Sequence, residues 1–423
     1  MVRKYLLSGY GLLKSVFTGY SFLLFNALTW YFMVLYVLDK LLEASTVDLG
    51  QRVLVMGTFY TTIIVSSFLG VFSSRKFTRR NLLLMWVSLG VVASFLPLVI
   101  TSDSVQTLSV IAVLFGFSYG LGIPSCLASF ADETTFESRG RTGGVIWFLA
   151  SIFAAVFAVF VSFTTGLLAV LIYVLVWRSL GFYVFGLSNL RKVQAQSIHT
   201  LSWKEVLGSK PFLLYVLPWS MFVLVDSLEK SYLYSYIQAS FGSSFYELNQ
   251  LIEMVIGAFS AIVVGVVSDT VGRKRVIVYG FVSLGVAYAI VGVAPALKVS
   301  WLFYSVVDSV AWSAFFVMFL SVVWGDLSSA VLGRGGEKYY VLGGGAPLFI
   351  SKLVGNLLLP YTQGLPMESA YAAFSLAAFF LFLAVVPLMY APETMPEELL
   401  EARRLRSYVE KAKRIRRKYE RKS

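Results

Sequence analysis

Twelve long apolar runs dominate this chain. They fall near residues 15–41, 52–73, 81–101, 106–129, 143–164, 166–187, 211–238, 245–268, 274–295, 299–324, 341–362 and 369–391. A run of about 20 apolar residues is long enough to cross a hydrocarbon layer of roughly 30 Å as a helix. A β-barrel would show alternating segments of about 10 residues, and these runs do not alternate. Nor does a soluble fold accommodate the composition. Of 423 residues, 58% are hydrophobic and 14% charged, against about a quarter charged in soluble domains. The expected fold class is an all-α integral membrane protein with twelve transmembrane helices. The first run is long enough to span and has no small-residue cleavage site, so no cleaved signal is expected.

The charges set a topology. One set of loops holds Arg3, Lys4, Lys14, Arg75, Lys76, Arg79, Arg80, Arg139, Arg141, Arg191, Lys192, Lys204, Lys210, Arg273 to Arg275, Arg334 and Lys338. The opposite set holds little beyond Lys40, Arg52 and Lys298. Basic loops stay on the cytoplasmic side, so both termini are expected there and the number of spans is even. The net charge of +12 therefore reads as membrane topology, and nucleic acid is not an expected partner. Eleven basic residues against six glutamates follow the last run. That tail is either a solvated topology signal or a ligand for anionic lipid.

The longest internal polar break, 188–210, divides the runs six and six. Within it, Ser202-Trp-Lys-Glu205 reads as the start of a short amphipathic helix on the membrane surface. The expected organisation is a six-helix bundle over 1–187, a linker over 188–210, a second bundle over 211–391 and a tail over 392–423. A shift of 195 sets Gly70 on Gly265 and Asn26–Asp39 over Met221–Tyr234, a weak internal repeat. Repeated halves with a site at their interface are a common plan in secondary transporters.

The most specific stretch is Gly265-Val-Val-Ser-Asp-Thr-Val-Gly-Arg-Lys-Arg275. It reads as a tight hydrophilic hinge: Asp269 closes one run, Gly272 takes φ > 0, and Arg273 and Lys274 open the next. This pattern resembles the signature loop of the major facilitator superfamily. A degenerate copy runs from Gly70 to Arg80, keeping Gly70, Arg75 and Arg79 but with Ser74 in the acid's place and Phe77 for the second glycine. Glu137–Arg141, Val331–Gly335 and Pro392-Glu-Thr394 are also similar to superfamily motifs. The resemblance implies two pseudo-repeat six-helix bundles rocking around a central site. It also implies a cytoplasmic latch built on Asp269 and the basic loop. The glycine-proline motif of drug–proton antiporters is not evident between Gly143 and Thr164, which tilts the reading towards proton-coupled uptake.

Ionisable groups inside hydrocarbon are costly and mark pathways. The candidate proton carriers are Asp226, Glu229, Glu253 and Asp308. Asp226, Glu229 and Lys230 share a helical face at i, i+3 and i+4, so Asp226 and Lys230 have a local pairing open to them. Lys352 and Arg178, one from each half, suit an anionic solute if both face a central cavity. The alternative pairs Lys352 with Asp226 or Asp308 and sends Arg178 to the cytoplasmic interface. Asn26, Trp30, Tyr232 and Trp312 complete the candidate solute contacts, as aromatic faces and a few polar groups fit sugars. Gly116, Gly120, Gly122 and Pro124 mark a bendable fourth helix.

No enzyme chemistry is legible. The chain has one cysteine, Cys126, and one histidine, His199 in a polar loop. That excludes a disulfide and argues against a metal site or a Ser-His-Asp site. There is no phosphate-binding loop, so no nucleotide cofactor is expected. The sequence reading is a monomeric plasma-membrane transporter for a sugar or organic anion, coupled to protons or sodium. The alternatives are a multidrug or metabolite exporter and a non-transporting receptor of the same fold.

Overall fold

The computed structural model describes residues 16–17, 19–100, 104–164, 166–186, 201–330, 336–362 and 369–420. Among these, twelve helices are long and apolar enough to cross a membrane, and there is no strand. In chain order they are α1 (Tyr20–Ala44), α2 (Leu49–Ser73), α3 (Arg79–Leu98), α4 (Val105–Glu133), α5 (Arg139–Phe163) and α6 (Leu167–Gly186). There follow α7 (Lys210–Phe241), α8 (Ser243–Val271), α9 (Arg273–Val293), α10 (Lys298–Ala330), α11 (Gly336–Thr362) and α12 (Tyr371–Tyr390). A charged helix α13 (Glu397–Glu420) ends the described chain.

Local chemistry starts and stops these helices. The Asp48 side chain accepts the Gln51 N–H at 2.8 Å, and Gln51 accepts the Asp48 N–H at 3.0 Å, a reciprocal cap for α2. Ser202 and Glu205 cap a short helix, Trp203–Leu207, in the same way. The Gly265–Arg275 stretch turns tightly at Gly272, as expected, but most of it is helical. Helix continues to Val271, and Gly272 alone makes the reversal, with φ at 109°. Only glycine occupies that region readily, so a one-residue joint is possible there. Several helices also outrun their apolar stretches: α4 reaches Glu133, α5 begins at Arg139 and α10 reaches Ala330. Their polar ends stand beyond the hydrocarbon, where sequence hydropathy carries no signal.

Packing repeats with a period of six helices. The contacts α1–α5, α2–α4 and α3–α6 recur as α7–α11, α8–α10 and α9–α12. Across the halves, α5 lies along α8 and α2 along α11. Helices in lipid gain little from apolar burial against each other, so close backbone approach matters more. A Cβ on Gly144 would stand 2.3 Å from the Ala261 carbonyl, and one on Gly265 2.4 Å from the Gly140 carbonyl. The α5–α8 crossing therefore exists because these positions lack side chains.

Candidate functional site

Two buried acids organise the end of the molecule that carries the basic loops. Asp269, 1% exposed, ends α8 and caps α5 from the other half. It accepts the Gly140 N–H at 3.0 Å, the Arg141 N–H at 2.9 Å and Arg141 Nε at 3.1 Å. Within its own half it accepts Arg273 Nη1 at 2.6 Å. A carboxylate at a helix N-terminus meets unpaired N–H groups and the positive end of the helix dipole.

Asp326, fully buried near the end of α10, accepts Arg139 Nη1 at 2.5 Å, Arg273 Nε at 3.2 Å and the Thr394 hydroxyl at 3.1 Å. Arg139 also donates to the Ala131 carbonyl at 2.6 Å, and Arg273 to the Phe136 carbonyl at 2.7 Å. Glu393 accepts the Arg273 and Lys274 N–H groups at 2.8 and 3.2 Å, capping α9. Arg139 and Arg273 thus balance Asp269 and Asp326. Arg273 sits between the two acids in their own half, so each acid keeps an arginine if the halves part.

The first-half counterpart is built differently. Ser74 offers no carboxylate; its hydroxyl donates to the Val71 carbonyl at 2.8 Å. Gly70 packs on α4, where a Cβ would stand 1.9 Å from the Leu121 carbonyl. The link to α11 comes from Arg79, which donates to Glu337 at 2.8 Å and also pairs with Asp132. Arg75 stacks over Phe72 at 5.8 Å. Lys338 donates to the Leu201 carbonyl and lies 5.4 Å from the Trp203 ring.

Midway between the ends, the halves enclose a cavity of about 40 Å³, room for a water or two and not for an organic solute. Tyr119, Pro124, Trp147, Ser321, Tyr340 and Phe349 line it. Trp147 Nε1 of α5 donates to the Ser321 hydroxyl of α10 at 3.2 Å, and Tyr31 and Tyr119 meet Phe349 at 5.8 and 6.0 Å. Three helix irregularities converge here. In α4, regular helix is interrupted between Gly120 and Ile123. In α10 and α11, π-helical turns span Val317–Val322 and Tyr340–Gly345. Such turns are rare and cluster at functional sites. At the opposite end Asn356 of α11 donates to the Val53 carbonyl of α2 at 2.8 Å. Both ends are therefore bridged across the halves.

The family model of the Major Facilitator Superfamily matches residues 16–335. This chain belongs to that superfamily. Among solved superfamily structures its fold is similar to the proton:xylose symporter XylE bound to 6-bromo-6-deoxy-D-glucose. That match has 14% identity and a TM-score of 0.64, over 90% of this chain and 97% of that one. The E. coli fucose:proton symporter FucP gives 13% identity and 0.67, over 88% and 98%. The human organic anion transporter MFSD10 gives 17% identity and 0.64, over 87% and 97%. No curated protein matches by sequence. At these identities the likeness is one of fold.

Within this superfamily frame the expected site residues separate. Lys352 pairs with Asp226 at 2.8 Å, joining α11 to α7 one turn beyond Phe349. The side chain of Lys230, the local partner open to Asp226, lies outside the described residues. Glu253 accepts the Ser305 hydroxyl at 3.3 Å between α8 and α10, and Ser305 also donates to Asn249 at 2.6 Å. Asp308 lies half-buried on α10. Trp312 stacks on Phe316 at 3.7 Å, and both approach Trp147. The side chains of Glu229 and Tyr232 lie outside the described residues.

Arg178 corrects both sequence alternatives. It neither shares a cavity with Lys352 nor reaches an interface. It is fully buried inside the first six helices, with Asn26 and Trp30 against it. Asn26 and Trp30 are accordingly absent from the cavity lining. Sequence reasoning missed Asp326 and Glu337 and took Arg139 as a topology charge within a motif-like loop, without a partner. The available signal was Ser74: a latch lacking one acid needs its contacts made by other charges at the helix ends.

Proposed function

We propose that this chain is a secondary transporter moving a small organic solute by alternating access. The observation that supports this most is the convergence of three helix irregularities, from both halves, on one cavity bridged at both ends. Broken helices at a repeat interface free backbone groups for solute recognition and let the halves rock. In this reading 1–187 and 211–391 move as two bodies joined by 188–210. The basic end faces the cytoplasm of a plasma-membrane protein.

The cavity lining sets aromatic residues and two serines, Ser67 and Ser321, among aliphatic side chains, with no charged side chain among the described residues. That favours an uncharged solute over an organic anion, because a buried anion without a paired cation is strongly disfavoured. Coupling rests on the Asp226–Lys352 pair. A proton arriving at Asp226 cancels the pair's attraction and weakens one of the ties between α7 and α11. Since α11 also packs on α2, that change reaches the contact between the halves.

Counterflow exchange in proteoliposomes tests the reading. A panel of sugars, carboxylates and lipophilic cations is offered to the native protein and to Ser321→Leu, which fills the cavity. Exchange of a neutral sugar, abolished by Ser321→Leu, is the expected result. Exchange confined to lipophilic cations would favour a drug exporter. No exchange of any solute would favour a receptor of the same fold.

A further inference from the structure

Arg178 has a feature that solute transport does not use. Its guanidinium is 0% exposed and lies between two indoles, 4.4 Å from the Trp86 ring and 4.9 Å from Trp30. Nη1 donates to Asn26 Oδ1 at 3.0 Å. Nε and Nη2 find no acceptor among the described residues. Those two nitrogens share the side-on edge of the guanidinium, the edge that grips a carboxylate with two parallel bonds. Gly90 of α3 faces the same edge, where a Cβ would stand 2.3 Å from Nε. A side chain at that position would displace the guanidinium.

The charge needs a partner. Arginine stays protonated in proteins, and a buried, uncompensated cation is strongly disfavoured. Its titratable neighbours are Tyr119 and Cys126, neither a carboxylate. Five acids of the first half have partners elsewhere: Asp39 with Arg52, Glu43 with Lys40, Asp48 with the Gln51 N–H, Asp132 with Arg79, and Glu133 with the Tyr20 N–H.

We propose that the Nε–Nη2 edge of Arg178 binds a small monovalent anion, a halide or a carboxylate group, inside the first six helices. The site is separate from the solute cavity but tied to it. Trp86, which covers the guanidinium, donates to the Tyr119 carbonyl at 3.1 Å and lies under Gly122, where a Cβ would stand 2.1 Å from the indole. Tyr119 lines the cavity and Gly122 lies at the interruption of α4. An anion at Arg178 therefore holds α4 in its bent form.

Bromide is a direct probe, because a heavy anion beside Trp30 and Trp86 quenches their fluorescence. The purified full chain, in detergent with isethionate as the only other anion, is titrated with sodium bromide. The expected result is a saturable quench above the linear collisional background, with a parallel rise in Tm. Arg178→Gln should lose both, and Gly90→Ala should weaken both at least tenfold. Acetate that displaces bromide identifies a site shared with carboxylates; acetate that does not identifies a halide site. Linear quenching alone in the native protein overturns the proposal. So does an unchanged saturable quench in Arg178→Gln or, if that variant does not fold, in Gly90→Ala.

Discussion

Arg139 of the first six helices donates to Asp326 of the last six at 2.5 Å, with side chains 2% and 0% exposed. Among the described residues it is the most buried ion pair between the halves at the basic end. It differs in kind from the Arg79–Glu337 bridge beside it, whose arginine is 31% exposed.

The difference sets an order of effects. Removing one partner of a buried pair costs about 3–5 kcal/mol and a solvent-exposed bridge contributes roughly 0.2–1 kcal/mol, and Arg79–Glu337, with its glutamate 9% exposed, falls between the two. Asp326→Asn should therefore loosen the basic end far more than Glu337→Gln. The check is thiol labelling of Ser321→Cys in a Cys126→Ser background. Labelling should rise more than tenfold with Asp326→Asn and less than fivefold with Glu337→Gln. Equal rates would show that burial does not rank these contacts.

Gly144→Ala should act on the same end through shape alone. Its Cβ would stand 2.3 Å from the Ala261 carbonyl, a backbone atom that cannot step aside. Overpacking costs about 1–3 kcal/mol, so the closed form should lose roughly five- to 150-fold in population. Gly166→Ala, with nothing within 4 Å of its Cβ, is the control and should leave labelling unchanged.

Much of this was legible in the sequence, and the reason is physical. Apolar length fixes a span, so all twelve helices could be placed. The Gly265–Arg275 pattern pointed to Asp269, Gly272 and Arg273 because their joint is made within a few residues of chain. What was not legible depends on partners far apart. Arg139 and Asp326 are 187 residues apart, and each alone looks like a charge at a helix end. Arg178 is the reverse case. Its depth was evident, but not that two indoles and a glycine would enclose it away from the cavity.

The Asp226–Lys352 pair makes a prediction about compensation. Asp226→Asn removes the carboxylate that Lys352 meets at 2.8 Å, and Lys352→Met removes that cation from Asp226. Each single variant should lower Tm by several degrees. The double variant should recover part of that loss, because the two charges are removed together. Additive losses in the double variant would show that the two side chains do not depend on each other.

The most direct test of the account is solute accumulation in proteoliposomes under an imposed proton gradient, native protein against Asp226→Asn, with counterflow exchange measured on the same vesicles. The account predicts that the native protein concentrates its solute against a gradient. Asp226→Asn should lose that accumulation but retain exchange. Undiminished gradient-driven accumulation in Asp226→Asn would contradict it.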